Sequence, residues 1–339
     1  MTVTREAVHA TSSLVLTPAV VAHRGASGHR PEHTLDAYRT AIRMGVDDIE
    51  LDLVSTRDGV LVARHDLELS ATTDVAQHPG LAHLRRRLVV DGVAQEGWFV
   101  QDLTLAQLKT LAARERMPAT RPASAAYDGV EGVPTLDEVL AMVGAESSRR
   151  GRAVGVMLEL KHAAHHDAIG LPLDVPLLRD LACHGLDHPW ARVTLMAFEA
   201  PVLRRLATRT RLPVVQLLDA GEVVTADDLD RIDEYADGIG PHRALVLPRD
   251  AAGAIGASST LVRDAHRRGL TVHVWTVRGE NRFLPTNLRR GDAPDALGDM
   301  AAEVRALLAA GVDGVITDHP ETAPAAVRAA VPHRRTLGS

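Results

Sequence analysis

The chain has 339 residues and a net charge of -6, with 45% apolar and 24% charged residues. That length allows one large domain or two small ones with a substantial core, while the acidic balance argues against nucleic acid as a partner. No apolar run reaches the roughly 20 residues of a transmembrane helix, and the lone Cys183 excludes an internal disulfide framework and fits a reducing compartment.

The N-terminal stretch MTVTREAVHATSSLVLTPAVVA lacks a basic head and a small-residue cleavage site, so it reads poorly as a signal peptide. The expectation is a cytoplasmic protein for the sequence as written, or an exported one if a leader has been trimmed from it. Eight short apolar runs follow, each ahead of a helical pattern: VVAHRG (20–25), DIELDL (48–53), AVGVMLELK (153–161), RVTLMAF (192–198), PVVQLL (213–218), ADGIG (236–240), LTVHVWTV (270–277) and DGVITD (313–318). Strands alternating with helices imply βα units and a parallel sheet. Eight of them predict an α/β protein with a (β/α)8 TIM barrel, whose usual size is roughly 250 residues. A doubly wound open sheet is the alternative, weakened by the lack of a G-x-G-x-x-G turn after the first strand. One domain is expected over 1–339, with the barrel at about 18–332.

Helix starts are marked by capping-box patterns, Thr135 with Glu138 and Thr104 with Gln107. Asp318, just before His319 and Pro320, reads as a cap for the last helix rather than as a catalytic group. Residues 67–133 form an insertion between the second and third barrel strands. Within it, LVVDGVAQEGWFV predicts a hairpin turning at Asp91-Gly92, followed by a helix over 104–113. Residues 278–297 form a second long segment, rich in Arg, Pro and Gly, and loops of that length are usually functional or disordered. Both segments fall where a barrel keeps its substrate-facing loops.

Residues two apart on a strand share a side. Glu50 and Asp52 therefore project together, as do Glu159 and Lys161, and both pairs end their strands on the face that carries barrel active sites. Two charges about 5 Å apart at an effective dielectric near 20 repel by roughly 3 kcal/mol, so three converging carboxylates require compensation. An all-oxygen set favours a hard divalent cation, Ca2+ or Mg2+, over zinc. Arg24 and Lys161 beside it suit a substrate with negative charge on oxygen, a phosphate above all. His23 and His65 are the candidate acid and base, and no G-x-S-x-G nucleophile elbow is present. Taken singly, an E-x-D on a strand more often faces solvent, and a Glu–Lys pair is commonly a weak surface ion pair. The inference to metal-assisted phosphoryl transfer rests on their convergence.

Three further signals are weighed against plainer readings. His162, His165 and His166 have the spacing of a transition-metal site, but in a chain with 17 histidines an exposed loop or helix face is the simpler reading. His29 and His33 follow the first strand, as substrate contacts or as loop packing. Phe198 and Trp275, at the ends of the fourth and seventh strands, line a pocket or complete the core.

The motifs HRGASGHRPEHTLDAY, IELDLVSTRDGVLVARHD, ELK, VWTVR with ENRFLP, and GVDGVITDHP, taken in order over about residues 20–322, resemble the glycerophosphodiester phosphodiesterases. The PEHT form, the TTDV after the second histidine and the loop after VWTVR look most like the bacterial branch typified by the periplasmic enzyme. The resemblance implies a metal-dependent barrel that hydrolyses glycerophosphodiesters to sn-glycerol 3-phosphate and an alcohol. By it, Glu50, Asp52 and Glu159 hold one divalent ion, and His23 and His65 form the acid–base pair. Arg24 and Lys161 grip the phosphate, and Phe198 and Trp275 contact the glycerol. The attacking oxygen is the glycerol 2-hydroxyl, through a cyclic phosphate, or water. Where many relatives carry a polar pair before Phe198, this chain has Met196 and Ala197, which bears on headgroup preference. The competing expectations are a related barrel enzyme acting on lysophospholipids or phospholipids, and a non-catalytic binder of phosphorylated ligands.

Overall fold

The computed structural model describes residues 17–323, 325 and 327. The strands among them are β1 (Ala19–Ala22), β2 (Asp48–Ser55), β3 (Leu61–Ala63), β4 (Arg86–Val90), β5 (Val93–Gly97), β6 (Gly155–Leu160), β7 (Val193–Ala197), β8 (Val214–Leu218), β9 (Gly238–Pro241), β10 (Thr271–Val277) and β11 (Gly314–Thr317). All eight apolar runs expected to be barrel strands are strands. They pair in parallel in the order β1-β11-β10-β9-β8-β7-β6-β2, and β2 returns to β1 to close the barrel. The open-sheet alternative is thereby excluded. Of the N-terminal stretch read for a signal, residues 1–16 lie outside the described residues, as does the end of the expected barrel near 332. Among those described, no helix is long and apolar enough to cross a membrane.

Strand parity sorts the side chains into two cores. Ile49, Leu51 and Leu53 of β2 point outward and join the main cluster with helix residues such as Leu136, Leu203 and Val304. Val21, Met157, Met196, Val215, Leu217 and Ile316 form a separate cluster, as side chains directed at a barrel axis do. Each such fully buried aliphatic side chain contributes roughly 1.5–3 kcal/mol.

The helix Leu35–Met44 fixes the loop that follows β1. Thr34 caps it by accepting from the Ala37 N–H, Gly45 ends it at φ 94°, and Ala37, Tyr38, Ala41 and Ile42 make its buried stripe. Gly25, at φ 84°, lies so close to this helix that an added Cβ would stand 2.7 Å from the Ala37 carbonyl carbon. Only glycine fits both the conformation and the space.

In the insertion, β3 pairs antiparallel to the end of β2, and β4 and β5 form the expected hairpin. Its turn residues Asp91 and Gly92 both have positive φ, as a two-residue type I′ turn requires. Both capping boxes form. The helix expected over 104–113 is only Leu105–Leu108, because the chain beyond it turns to pair with the end of the insertion, Ala112 opposite Gly132. Leu69, Val75, Phe99, Leu103 and Leu108 pack with Val54 and Val62 into a third apolar cluster, so the insertion is anchored on β2 and β3.

Candidate active site

The barrel interior changes character two residues beyond its apolar layer. Above Val21 stands His23, above Met157 stands Glu159, above Met196 stands Phe198, and above Ile316 stands Asp318. Glu50 and Asp52 share the inward parity of β2, and the parallel register sets Asp52 opposite Glu159. The three carboxylates each bring an oxygen within 4.8 Å of the others, and all three are buried.

Their environments differ. Burial opposes the charge on Asp52, yet Arg24, Lys161 and His65 hold its carboxyl well below the usual range. Burial, and then the charges of Asp52 and Glu159, push Glu50 well above it. Burial pushes Glu159 up to about 7; Lys161 opposes this and Asp52 reinforces it. A hard divalent cation would relieve this repulsion, and three carboxylate donors fit one. Asp52 is also held from behind: its Oδ2 is 2.9 Å from Nε2 of His33, whose Nδ1 is 2.7 Å from the Tyr38 hydroxyl.

The two candidate acid–base histidines are built alike. Nδ1 of His23 is 2.6 Å from Asp318 Oδ1, and Nδ1 of His65 is 2.6 Å from Asp66 Oδ1. A neutral ring so paired carries its proton on Nδ1 and leaves Nε2 as the free acceptor. Burial, followed by the charge of Arg24, lowers each to about 4 against the pull of its carboxylate. A phosphate arriving between them would raise both by offsetting that cation.

Both histidines line a cavity of about 360 Å³, with Glu50, Glu159, Arg24 and Lys161. Lys161 Nζ is 3.0 Å from Glu159 Oε1 and sits 5.6 Å from the Phe198 ring centre. Phe198 meets Trp275 edge to face at 5.6 Å, and Trp275 is anchored by its indole N–H donating to the Gly240 carbonyl at 2.6 Å. Arg24 has φ 57°; its backbone N–H donates to Glu50 Oε2 at 2.8 Å. Its guanidinium reaches Glu32 at 3.1 Å, and its Nε lies 3.1 Å from Asp52, too bent for a hydrogen bond and hence a Coulombic contact.

Of the residues singled out from the sequence as catalytic, metal-binding or phosphate-binding, all but Asp52 line one cavity, with Phe198 and Trp275; Asp52 is buried behind its wall beside Glu50 and Glu159. Other readings need correction. Asp318 is not the cap of the last helix, whose described residues begin at Ala323. Its oxygens engage His23, Arg121 at 2.6 Å and Arg278 at 2.8 Å. His33 does not line the cavity but braces Asp52, and His29 bonds Glu321. The three neighbouring histidines are not an exposed face. His162 bonds Asp91, His165 bonds Gln101, and His166 is fully buried with neither ring nitrogen bonded. Among the described residues they form no metal-binding group. Sequence reasoning missed Asp66, Arg116, His242, Arg243 and Arg278. Asp66, directly following His65, and Arg278, closing the VWTVR motif, had local signals.

The motif-level likeness extends along the chain. The Glycerophosphoryl diester phosphodiesterase family matches residues 23–322. A glycerophosphodiester phosphodiesterase of Arabidopsis thaliana is 33% identical over 305 residues, 82% of this chain and 80% of that protein. One of Bacillus subtilis is 32% identical over 310 residues, 89% of this chain and 83% of that protein. Among solved structures, an Oleispira antarctica phosphodiesterase in complex with the product sn-glycerol-3-phosphate superposes with a TM-score of 0.63 at 21% identity, covering 92% of this chain and 97% of that one. A glycerophosphodiester phosphodiesterase from Agrobacterium tumefaciens gives a TM-score of 0.56 at 20% identity, covering 91% and 99%. At those identities the structures establish the shared barrel.

Proposed function

We propose that this chain, which belongs to the glycerophosphoryl diester phosphodiesterase family, hydrolyses glycerophosphodiesters to sn-glycerol 3-phosphate and an alcohol by two-histidine acid–base catalysis. The observation that carries the mechanism is the pairing of His23 and His65 with their own carboxylates at one cavity that Glu50 and Glu159 of the triad also line. Glu50, Asp52 and Glu159 are the residues that would hold a divalent ion, Ca2+ or Mg2+. When bound, that ion polarises a phosphoryl oxygen and offsets carboxylate charge.

The protein's own groups do the rest. Lys161 and Arg24 attract the phosphate, and the Phe198–Trp275 pair offers an apolar wall to the glycerol carbons. One histidine accepts through Nε2 the proton of the attacking oxygen, which is either water or the glycerol 2-hydroxyl, and in the second case a water then opens the cyclic phosphate. The other, protonated once phosphate charge is near, donates to the departing alcohol oxygen as its bond to phosphorus breaks. The product named for the Oleispira structure is the one proposed here.

The test is a panel of glycerophosphocholine, glycerophosphoethanolamine and a lysophosphatidylcholine, with released choline or ethanolamine as the common readout and sn-glycerol 3-phosphate as the product identified from the glycerophosphodiesters. The reading expects that product from the first two and little choline from the lysolipid. Its absence from both glycerophosphodiesters would overturn the reading, and preference for the lysolipid would transfer the site to lipid substrates.

A further inference from the structure

The insertion sends two arginines, five residues apart in the chain, to the far sides of the two carboxylates that hold the histidines. Arg121 is buried: it donates through Nη2 to Asp318 Oδ2 at 2.6 Å, through Nε to Glu280 Oε1 at 2.6 Å and through Nη1 to the Ser27 carbonyl at 2.9 Å. Arg116 donates through Nη1 to Asp66 Oδ2 at 2.6 Å and grips Glu32 through Nε and Nη2 at 2.9 and 2.7 Å. In both cases one carboxylate oxygen faces the histidine Nδ1 and the other faces an insertion guanidinium, and Asp318 Oδ2 also accepts from Arg278 Nε, outside the insertion, at 2.8 Å.

We propose that the insertion is the positioning element of the catalytic pair, with Arg121 setting His23 through Asp318 and Arg116 setting His65 through Asp66. This rests on the reading of His23 and His65 as acid and base. A carboxylate bonded only to an imidazole is free to turn about its own side-chain torsion and carry the ring with it. A second bond from a rigid fork, itself held by other partners, fixes that torsion and therefore the direction of Nε2. The segment that carries both forks is itself braced. The carboxylate of Glu115 accepts from the Met117 N–H at 2.8 Å and the Ser124 hydroxyl at 2.5 Å, and the Glu115 N–H donates to Asp128 at 2.7 Å. The apolar cluster beneath the insertion fastens it to β2 and β3, the strand ends that carry Asp52 and lead to His65. Neither arginine acts on substrate in this role, although Arg116 also lines the cavity.

A double-mutant cycle separates positioning from general support. Misplacement by about 1 Å costs on the order of 10²-fold in rate. Arg116→Met should lower kcat by roughly that factor and Arg121→Met by less, because Arg278 still holds Asp318, with KM changed much less in both. Arg121→Met should then add almost nothing in the His23→Ala background but keep its full effect in His65→Ala. Arg116→Met should show the mirror pattern. Arg→Lys at either position keeps the charge but loses the fork, and should restore part of the loss. If a methionine variant does not fold, its lysine variant, checked by thermal melting, is carried through the same cycle. An arginine loss of equal size in both histidine backgrounds would overturn the proposal, whether it arose from loosened packing or, for Arg116, from direct phosphate contact. If instead His23→Ala and His65→Ala themselves turn over at the wild-type rate, it is the acid–base reading that fails.

Discussion

The two layers of side chains inside the barrel come from the same strands and differ by one step of two residues. The lower layer, Val21, Met157, Met196, Val215 and Ile316, is apolar and buried, and only its Met196 and Ile316 reach the cavity, as its floor. The upper layer, His23, Glu159, Phe198 and Asp318, is polar or aromatic, faces the cavity or braces the groups that do, and carries strongly shifted protonation equilibria. Strand geometry aims both layers at the axis, so stability and chemistry are stacked rather than interleaved. Changes at Val21, Met157 and Val215, away from the cavity lining, should be read out in folding, and changes above in turnover.

The largest expected effect lies in the upper layer. His23→Ala and His65→Ala should each lower kcat by about 10²–10⁴-fold while thermal melting changes little; a melting point that falls in step with activity would break the separation of layers. Next, Met157→Ala in the lower layer should cost about 2–5 kcal/mol of unfolding free energy by urea titration, with turnover largely intact once folded. Loss of activity without loss of stability there would merge the two layers.

The smallest effect concerns a polar group placed where the apolar rule should hold. His166 is fully buried with no ring partner, and burial, followed by the charges of His165 and His162, lowers it to about 3. Unfolded, it takes a proton near 6.5. The unfolded state therefore binds more protons as pH falls below that value, and stability is lost progressively towards pH 3. At pH 5 this amounts to about 2 kcal/mol. His166→Phe should reduce the stability difference between pH 7 and pH 5 by that order, and an unchanged difference would show that His166 takes its proton when folded.

The barrel was legible because its signals are local. Runs rich in Val, Ile and Leu between turn residues marked seven of the eight strands, ADGIG being the exception with one Ile, and period-two parity placed Glu50 with Asp52 and Glu159 with Lys161. The capping boxes at Thr104 and Thr135 are short-range chemistry and form as expected. Asp318 was misread because an acid shortly before a proline is also the mark of a helix start; only the closure of β11 against β1 brings it to His23. Arg116 and Arg121 had no periodicity to betray them. Their partners are 50 and 197 residues away in sequence, and packing of the insertion alone unites them.

The central claim is that the triad above Met157 is a metal centre serving the two histidines. The most direct measurement is release of sn-glycerol 3-phosphate from glycerophosphocholine before and after exhaustive chelation, and after return of Ca2+ or Mg2+. The account predicts loss of turnover on chelation and recovery on return of one of the two ions, with Glu159→Gln requiring more of it. Turnover that survives exhaustive chelation would contradict the account.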